Sequence, residues 1–253
     1  MRALITGASS GIGRDMAKIL SSMNYDLILV ARNRDQLAIV QQELPTAVEI
    51  YALDLSKAES CYFLYEQVKL SGIDILINNA GIGYYGEFAA ADLETELNMI
   101  DLNIRAVHIL TKLFLRDFIK ADHGAILNVA SIGGFMPGPL LSSYYASKAY
   151  VLRLTEAIHE ELRHQNSQVK ICALCPGPVK TGFNKRAGAS YKFNGLKSAD
   201  VAAYALKKMA QGKMIIIPGW TIRALRFFTR FAGDRVLLAV AYKIQKLKGK
   251  PAA

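Results

Sequence analysis

The chain has 253 residues, of which 52% are hydrophobic and 21% are charged, and its formal net charge is +10. Its length and composition suit one globular α/β domain with a sizeable core. Three cysteines are too few for a disulfide scaffold. A first strand at residues 3–5 predicts no signal peptide, and no apolar run approaches the roughly 20 residues that span a bilayer. We therefore expect a cytoplasmic protein.

Short runs of Ile, Leu and Val alternate with helical patterns along the chain. Strands are predicted at 3–6, 26–31, 48–53, 73–78, 125–130, 169–174 and 214–218. Helices are predicted at 11–23, 33–43, 56–71, 101–120, 144–166 and 198–210. Continuously apolar strands between helices indicate a Rossmann-type, doubly wound parallel sheet of about seven strands. Residues 1–218 are predicted to form one catalytic domain, and residues 219–253 a basic helical extension of it.

A glycine-rich turn follows the first strand and precedes the first helix, with the spacing TGxxxGxG over residues 6–13. Glycines permit a tight turn and let a pyrophosphate approach bare backbone, while the helix N-terminus favours an anion. We predict that this turn binds the phosphates of a dinucleotide. The residues concerned are Gly7, Ser9, Ser10, Gly11, Ile12 and Gly13.

The end of the second strand selects between dinucleotides. NAD enzymes usually place an acid there to bind the ribose hydroxyls, but this position is Ala31 and is followed by Arg32. A guanidinium can bind a 2′-phosphate through two hydrogen bonds. The sequence therefore favours NADP(H) over NAD(H), and the alternative is that Arg32 and Arg34 are solvated loop charges.

A YxxxK motif places Tyr144 and Lys148 on one face of a predicted helix. A free tyrosine, with a pKa of about 10, is a poor acid at neutral pH, and a nearby ammonium favours its phenolate form. The spacing thus suits a tyrosine that transfers a proton and a lysine that tunes it. By itself the motif also fits an ordinary amphipathic helix. Ser131 strengthens the first interpretation. It lies 13 residues before Tyr144, at the end of a predicted strand, and parallel sheets bind ligands at the carboxyl ends of their strands.

Several motifs together resemble the short-chain dehydrogenase/reductase family, in family order and spacing over residues 1 to about 218. They are TGASSGIG at 6–13, Asp54, NNAG at 78–81, Asn103, Ser131, YYASK at 144–148 and PGPVKT at 176–181. The resemblance implies an NADP(H)-dependent oxidoreductase that transfers hydride between nicotinamide and a carbonyl or secondary alcohol. It also implies a homodimer or homotetramer.

The resemblance also implies a role for each matching residue. Ser131 would bind the substrate carbonyl, Tyr144 would protonate it, Lys148 would also bind the nicotinamide ribose, and Asn103 would hold a water that links Lys148 to solvent. The further cofactor contacts implied are Asp54 at the adenine with Leu55 beside it, Asn79, Ala80 and Gly81 at the adenosine ribose, and Pro176, Val179 and Thr181 around the nicotinamide.

Three other interpretations of these motifs stay open. Residues 7–11 match the hydrolase pattern G-x-S-x-G around Ser9, although none of the four histidines is placed at a predicted sheet-edge loop. A catalytically silent NADP(H)-binding sensor or interaction module is the second alternative. Cys172 and Cys175 form a lone CxxC, for which a buried strand fits better than a metal site, so we predict no metal.

The end of the chain carries most of the net charge. From Lys213 onward there are nine basic residues against one acid, Asp234. Residues 219–232 and about 234–247 are predicted to be amphipathic helices, with Arg223, Arg226 and Arg230 on one face of the first. They either pack against the domain or a second subunit, or lie on an anionic membrane as a peripheral contact. No module for nucleic acid is recognised.

A mobile lid over the substrate is predicted at residues 182–196, which carry three glycines among aromatic and basic side chains. This composition suits an apolar small-molecule carbonyl or alcohol, with or without an acidic group. The predicted pocket residues are Ile132, Phe135, Tyr84 and Tyr85.

Overall fold

The structure is a computed structural model that describes residues 1–188, 195–229, 231 and 233–246. Its strands are β1 (Arg2–Thr6), β2 (Asp26–Ala31), β3 (Val48–Ala52), β4 (Ile75–Asn78), β5 (Ala125–Val129), β6 (Lys170–Leu174), β7 (Val179–Lys180), β8 (Leu196–Lys197) and β9 (Ile215–Ile216). Its helices are α1 (Gly11–Ser22), α2 (Arg34–Gln42), α3 (Ala58–Val68), α4 (Leu93–Ile100), α5 (Val107–Ala121), α6 (Ser142–His164), α7 (Phe183–Arg186), α8 (Ser198–Ala210), α9 (Trp220–Thr229) and α10 (Asp234–Lys246).

Seven parallel strands form one sheet in the order β3-β2-β1-β4-β5-β6-β9. The order reverses between β1 and β4, so their carboxyl ends diverge and leave a crevice for a ligand. The predicted α/β class and the seven-stranded, doubly wound sheet are confirmed.

Helices cover both faces of the sheet, because alternate residues of each strand point to opposite faces. Ala3 and Ile5 of β1 pack with α1, α2 and α8, whereas Leu4 packs with α3, α5 and α6. All three side chains are fully buried. This burial on both faces is the reason that the strands read as continuous apolar runs.

The helix predicted at 101–120 differs from the structure in a way that matters for the site. It begins earlier, as α4, and is connected to α5 by a π-helical turn at Asp101–Ala106 that contains Asn103. A π-turn inserts one residue into the helix and reorients the side chains around it. The short pair of β7 and β8 was not predicted either, because two-residue strands carry no periodic signal.

The C-terminal cap is the name we give to α9 and α10. Both are helices within the regions where the sequence predicts amphipathic helices, and Arg230 of the predicted basic face lies outside the described residues. Ile222 of α9 packs beside residues of α6 and β6, and Ala241 and Gln245 of α10 are buried. The cap therefore packs against the sheet domain, as one of the two interpretations of the tail predicted. The boundary between 218 and 219 stays a prediction.

Candidate active site

One large cavity, of about 980 Å³, opens at the carboxyl ends of the strands. Its walls come from the loops after β1, β2, β3, β4, β5 and β6, from the start of α6, and from the cap. This volume is at the upper end of small-molecule sites. A dinucleotide and a substrate can therefore occupy it together.

The glycine turn after β1 is held by the loop after β4. Thr6 Oγ1 accepts hydrogen bonds from the backbone N–H groups of Asn79 and Ala80, both at 3.0 Å, and Asn79 Nδ2 donates to the Thr6 and Gly7 carbonyls at 2.9 and 3.1 Å. Gly7 has φ +64°, and a Cβ there would lie 2.8 Å from Asn79 Nδ2 and 2.9 Å from Ala80 Cα. Only glycine satisfies both the backbone angle and this close approach.

The N-terminus of α1 faces the cavity beyond this turn. Ser9, Ser10, Gly11 and Ile12 line it, and the first-turn N–H groups of a helix have no partner within the helix. Gly13 does not line the cavity. A Cβ on Gly13 would lie 2.6 Å from the Gly7 carbonyl oxygen, so this glycine lets α1 pack against the turn.

The loops after β2 and β3 line the part of the cavity where the sequence predicts the adenosine. Ala31, Arg32, Gln36 and Asp54 line it, and the Arg32 side chain is exposed. Asp54 Oδ1 accepts hydrogen bonds from the backbone N–H and the hydroxyl of Ser56, at 3.1 and 2.8 Å. The carboxylate is thereby fixed at the edge of the cavity. The predicted contact Leu55 also lines this part.

The three residues Ser131, Tyr144 and Lys148, which the sequence predicts to be catalytic, line the same cavity. Lys148 is only 4% exposed, its Nζ donates to the Val129 carbonyl at 2.8 Å, and Nζ lies 5.8 Å from the centroid of the Tyr144 ring. Burial lowers the pKa of the Lys148 ammonium to about 8. Ser131 Oγ accepts a hydrogen bond from Gly133 N–H at 3.0 Å, which fixes its rotamer at the end of β5.

Asn103 lies behind this group and is fully buried, so it does not line the cavity. Its Oδ1 accepts from Ile82 N–H at 3.0 Å, and its Nδ2 donates to the Ile82 carbonyl at 2.8 Å and to Ser147 Oγ at 3.1 Å. A Cβ on Gly81 would lie 3.1 Å from Asn103 Oδ1 and 3.3 Å from Lys148 Nζ. Asn103 therefore joins the loop after β4 to the helix that carries Tyr144 and Lys148.

The cap closes the cavity beside Tyr144, which the sequence did not predict. Gln245 Nε2 donates to Tyr145 Oη at 2.5 Å, and Tyr85 Oη donates to the Gln245 carbonyl at 2.9 Å. The cap residues that line the cavity are Thr221, Ile222, Leu237, Val240, Ala241, Ile244 and Gln245. The spacing of residues 237, 241 and 245 was a usable signal, because it places three side chains on one helix face.

All but two of the predicted site residues line this single cavity, the exceptions being Gly13 and Asn103. Of the four predicted pocket residues, only Ile132 lines the cavity. The Phe135 ring instead contacts Arg226 of the cap, whose guanidinium lies 4.2 Å from the ring centroid. Phe183 and Arg186 of the predicted lid also line the cavity, and the two rings of Phe183 and Tyr144 are 5.4 Å apart. Residues 189–194 of the predicted lid lie outside the described residues.

The geometry does not support a hydrolase. None of the four histidines lines the cavity: His123 pairs with Asp74, His159 contacts the Ile171 carbonyl, and His108 and His164 bind exposed partners. Ser9 therefore has no histidine in the cavity that could act as its base.

The cysteines of the CxxC also lie away from the cavity. Cys172 belongs to β6 and Cys175 follows it, and burial raises the pKa of both thiols to about 12. Both are fully buried, which confirms the buried-strand interpretation. Among the described residues, no group of three or more His, Cys, Asp or Glu could hold a metal ion.

Comparison with known proteins identifies the chain. Residues 1–192 match the family model described as short chain dehydrogenase. The chain belongs to the short-chain dehydrogenase/reductase family. Its similarity to estradiol 17-beta-dehydrogenase 11 from Macaca fascicularis is 32% identity over 249 residues, which cover 95% of this chain and 82% of that protein. The predicted family is confirmed, and the chain is an oxidoreductase of that family.

Two solved structures extend the comparison to cofactors. A short-chain dehydrogenase from Sphingobium yanoikuyae in complex with NADPH is 30% identical, with a TM-score of 0.81 over 92% of this chain and 99% of the other. A 3-ketoacyl-(acyl-carrier-protein) reductase from Brucella melitensis complexed with NADH is 28% identical, with a TM-score of 0.77 over 86% and 96%. Solved structures similar to this chain thus include one with NADPH and one with NADH.

Proposed function

We propose that the protein is an NADP(H)-dependent oxidoreductase that interconverts an apolar ketone and its secondary alcohol, with Tyr144 as the acid and base. The observation that carries this proposal is one cavity with the glycine turn in one part and the Tyr144–Lys148 pair in another. Because the cofactor and the substrate would share this cavity, the nicotinamide and the substrate carbonyl can be held at contact distance without a further movement of the chain.

The residues present fit the dinucleotide. A Cβ would collide at Gly7 and crowd Gly81, so the wall of the cavity is bare backbone where a cofactor must approach closely. Gly7, Ser9, Ser10, Gly11 and Ile12 would hold the pyrophosphate, and Asp54 and Leu55 the adenine. Ala80 and Gly81 would lie along the adenosine ribose, beside Asn79, and Pro176, Val179 and Thr181 around the nicotinamide. When bound, the nicotinamide supplies or accepts the hydride.

The chain itself handles the proton. Ser131 Oγ would donate a hydrogen bond to the substrate oxygen, and the Tyr144 hydroxyl would protonate that oxygen in the direction of reduction. The Lys148 ammonium, present below a pH of about 8, favours the phenolate that Tyr144 becomes. Asn103 would act as a positioning residue, because it connects Ile82 to Ser147 of the catalytic helix.

The decisive measurement is NADPH consumption across a panel of apolar ketones, for the wild type and for Tyr144→Phe. Loss of the proton donor should lower kcat by about 10²–10⁴-fold, without weakening NADPH binding. Tyr150→Phe is the matched control, because Tyr150 lies on the same helix but binds His108 on the surface. NADPH binding without turnover of any ketone by the wild type would instead favour the catalytically silent sensor.

Preference for NADP(H) is assigned to Arg32. No acidic side chain ends β2, and Arg32 is exposed at the wall where a 2′-phosphate would lie. Arg32→Ala should raise the Kd for NADPH about 10–100-fold, the value of a charge-assisted hydrogen bond, and leave the Kd for NADH unchanged. Arg34→Ala, at an exposed residue that does not line the cavity, should change neither. Equal loss of both cofactors in Arg32→Ala would contradict the assignment.

We further propose a homodimer or homotetramer in the cytoplasm. Leu93, Leu97 and Ile100 form an exposed apolar stripe along α4, at 64%, 42% and 39% exposure. Stripes of this kind mark subunit contacts. Light scattering of the wild type and of Leu97→Glu tests the assignment, since the variant should dissociate. No nucleic acid partner is proposed.

A further inference from the structure

The outer surface of the cap is more apolar than its contact with the domain requires. Of the described side chains of α10, only Ala241 and Gln245 are buried, and Leu237 is half-buried one turn earlier. This contact stripe is one residue wide. The other described side chains of α10 are exposed.

Large apolar side chains occupy that outward surface. Eight of the twenty exposed large apolar side chains of the described residues lie between 220 and 244. Trp220 is 74% exposed, Val236 61%, Val240 49% and Ile244 42%. Monomeric soluble proteins rarely leave such a group uncovered, which marks an interaction site.

The apolar surface is continuous with the substrate cavity. Val240 and Ile244 line the cavity and are also exposed, so they stand at its mouth. Val236 extends the same row one turn outward, at spacing i, i+4, i+8. An apolar molecule bound at this surface could enter the cavity that Tyr144 also lines.

Basic side chains surround the apolar surface. Arg223, Arg235, Lys243 and Lys246 are exposed on the cap, and Asp234 is the one acid in the sequence after Lys213. Aromatic and aliphatic groups flanked by arginine and lysine match the interface of an anionic bilayer. A second copy fits poorly, because a two-fold contact would set these cations against their own copies. No helix among the described residues is long and apolar enough to cross a membrane, so such contact would be peripheral.

We propose that the outer face of the cap docks on an anionic lipid surface, so that the mouth of the substrate cavity opens onto the bilayer and receives a lipid-soluble ketone. This inference rests on the proposed function, since the ketone is the substrate assigned to the cavity. The lipid surface would be the source of that ketone.

Sedimentation with lipid vesicles tests the docking. The wild type should pellet with phosphatidylcholine vesicles that contain about 30% phosphatidylglycerol, less so as salt rises, and weakly with phosphatidylcholine alone. Lys243→Glu/Lys246→Glu should bind at least about tenfold more weakly. Trp220→Glu/Val236→Glu should also lose binding. The matched controls are Lys57→Glu/Lys207→Glu, two exposed lysines elsewhere, and Leu70→Glu, at a side chain 93% exposed.

Turnover separates this inference from the function on which it rests. Anionic vesicles should speed the reduction of a long-chain ketone by the wild type but not by Lys243→Glu/Lys246→Glu. A short, water-soluble ketone should be reduced equally by both, with or without vesicles.

Two results would overturn the docking and leave the function intact. In one, the wild type reduces the soluble ketone but stays in the supernatant with anionic vesicles at low salt. In the other, Trp220→Glu/Val236→Glu halves the particle mass in light scattering, which would assign the face to a second copy. Pelleting without turnover of any ketone would instead refute the proposed function.

Discussion

The glycine turn after β1 and the C-terminal cap line the same cavity but are held in place differently. In the turn, backbone meets backbone so closely that Gly7 and Gly13 leave no room for a Cβ. The cap rests on a stripe of side chains and on two tyrosine hydroxyls, Tyr85 and Tyr145. A cofactor of fixed shape suits a rigid backbone site, whereas a surface made of side chains can differ between relatives without loss of the fold.

The largest expected effect comes from a substitution in the rigid glycine turn. Gly7→Ala places a methyl group 2.8 Å from Asn79 Nδ2 and 2.9 Å from Ala80 Cα, at φ +64°. We expect the Kd for NADPH to rise on the order of 100-fold. An alanine in this conformation is strained by about 1–3 kcal/mol, and the turn would relieve the strain by moving out of the geometry that holds the phosphates. Fluorescence titration measures it.

Gly212→Ala is the control for this prediction. Gly212 has the similar φ of +66°, but nothing lies within 4 Å of its Cβ position. It should cost about 1 kcal/mol of stability and leave the Kd unchanged. Equal weakening by both variants would mean that backbone angle alone, and not the close approach, limits binding.

The next effect concerns Lys148, the buried ammonium in the wall of the same cavity. The pKa of Lys148 is about 8 in the folded chain, against 10.5 for the unperturbed group. Between these pH values the unfolded chain therefore binds more protons than the folded chain. The destabilising contribution of this lysine is complete below pH 8, and it decreases as the pH rises toward 10.5. Lys148→Met should raise the free energy of unfolding at pH 7 by about 2 kcal/mol, after the lost hydrogen bond to Val129 is subtracted.

Denaturant unfolding at pH 7 and pH 10.5, without cofactor, tests this. The gain from Lys148→Met should vanish at the higher pH, while NADPH turnover is lost at both. A variant that is less stable than the wild type at pH 7 would show that the lysine holds the fold together, rather than being tolerated for catalysis.

The smallest expected effect is on the stability of the contact between the cap and the sheet domain. Gln245 Oε1 is buried and has no hydrogen-bond partner among the described residues, whereas Nε2 binds Tyr145. Gln245→Leu removes both the bond and the unpaired oxygen, so its effect on stability should be within about 1 kcal/mol. Tyr145→Phe leaves the amide N–H unpaired and should cost more, about 1–2 kcal/mol. Thermal unfolding compares the two, and a larger loss in Gln245→Leu than in Tyr145→Phe would contradict this explanation.

Much of the lining of the cavity could be predicted from the sequence because its signals are local. Gly7 and Gly11 lie in one turn, Tyr144 and Lys148 in one helix, and Ser131 directly follows a strand. Continuous apolar strands fix a parallel sheet, and a parallel sheet brings all its carboxyl ends to one edge. The roles of these residues in catalysis stay predictions until the variants are measured.

What the sequence determined by itself was the succession of the seven sheet strands along the chain and the residue types at the sheet edge, since both depend on spacing within a few residues. Only the tertiary structure decided that Gly13 and Asn103 act from behind the cavity wall, and that the cap closes the cavity. The bonds from Gln245 to Tyr145 and Tyr85 join residues 100 and 160 positions apart. Contacts of that range depend on how whole elements pack, and no local period encodes them.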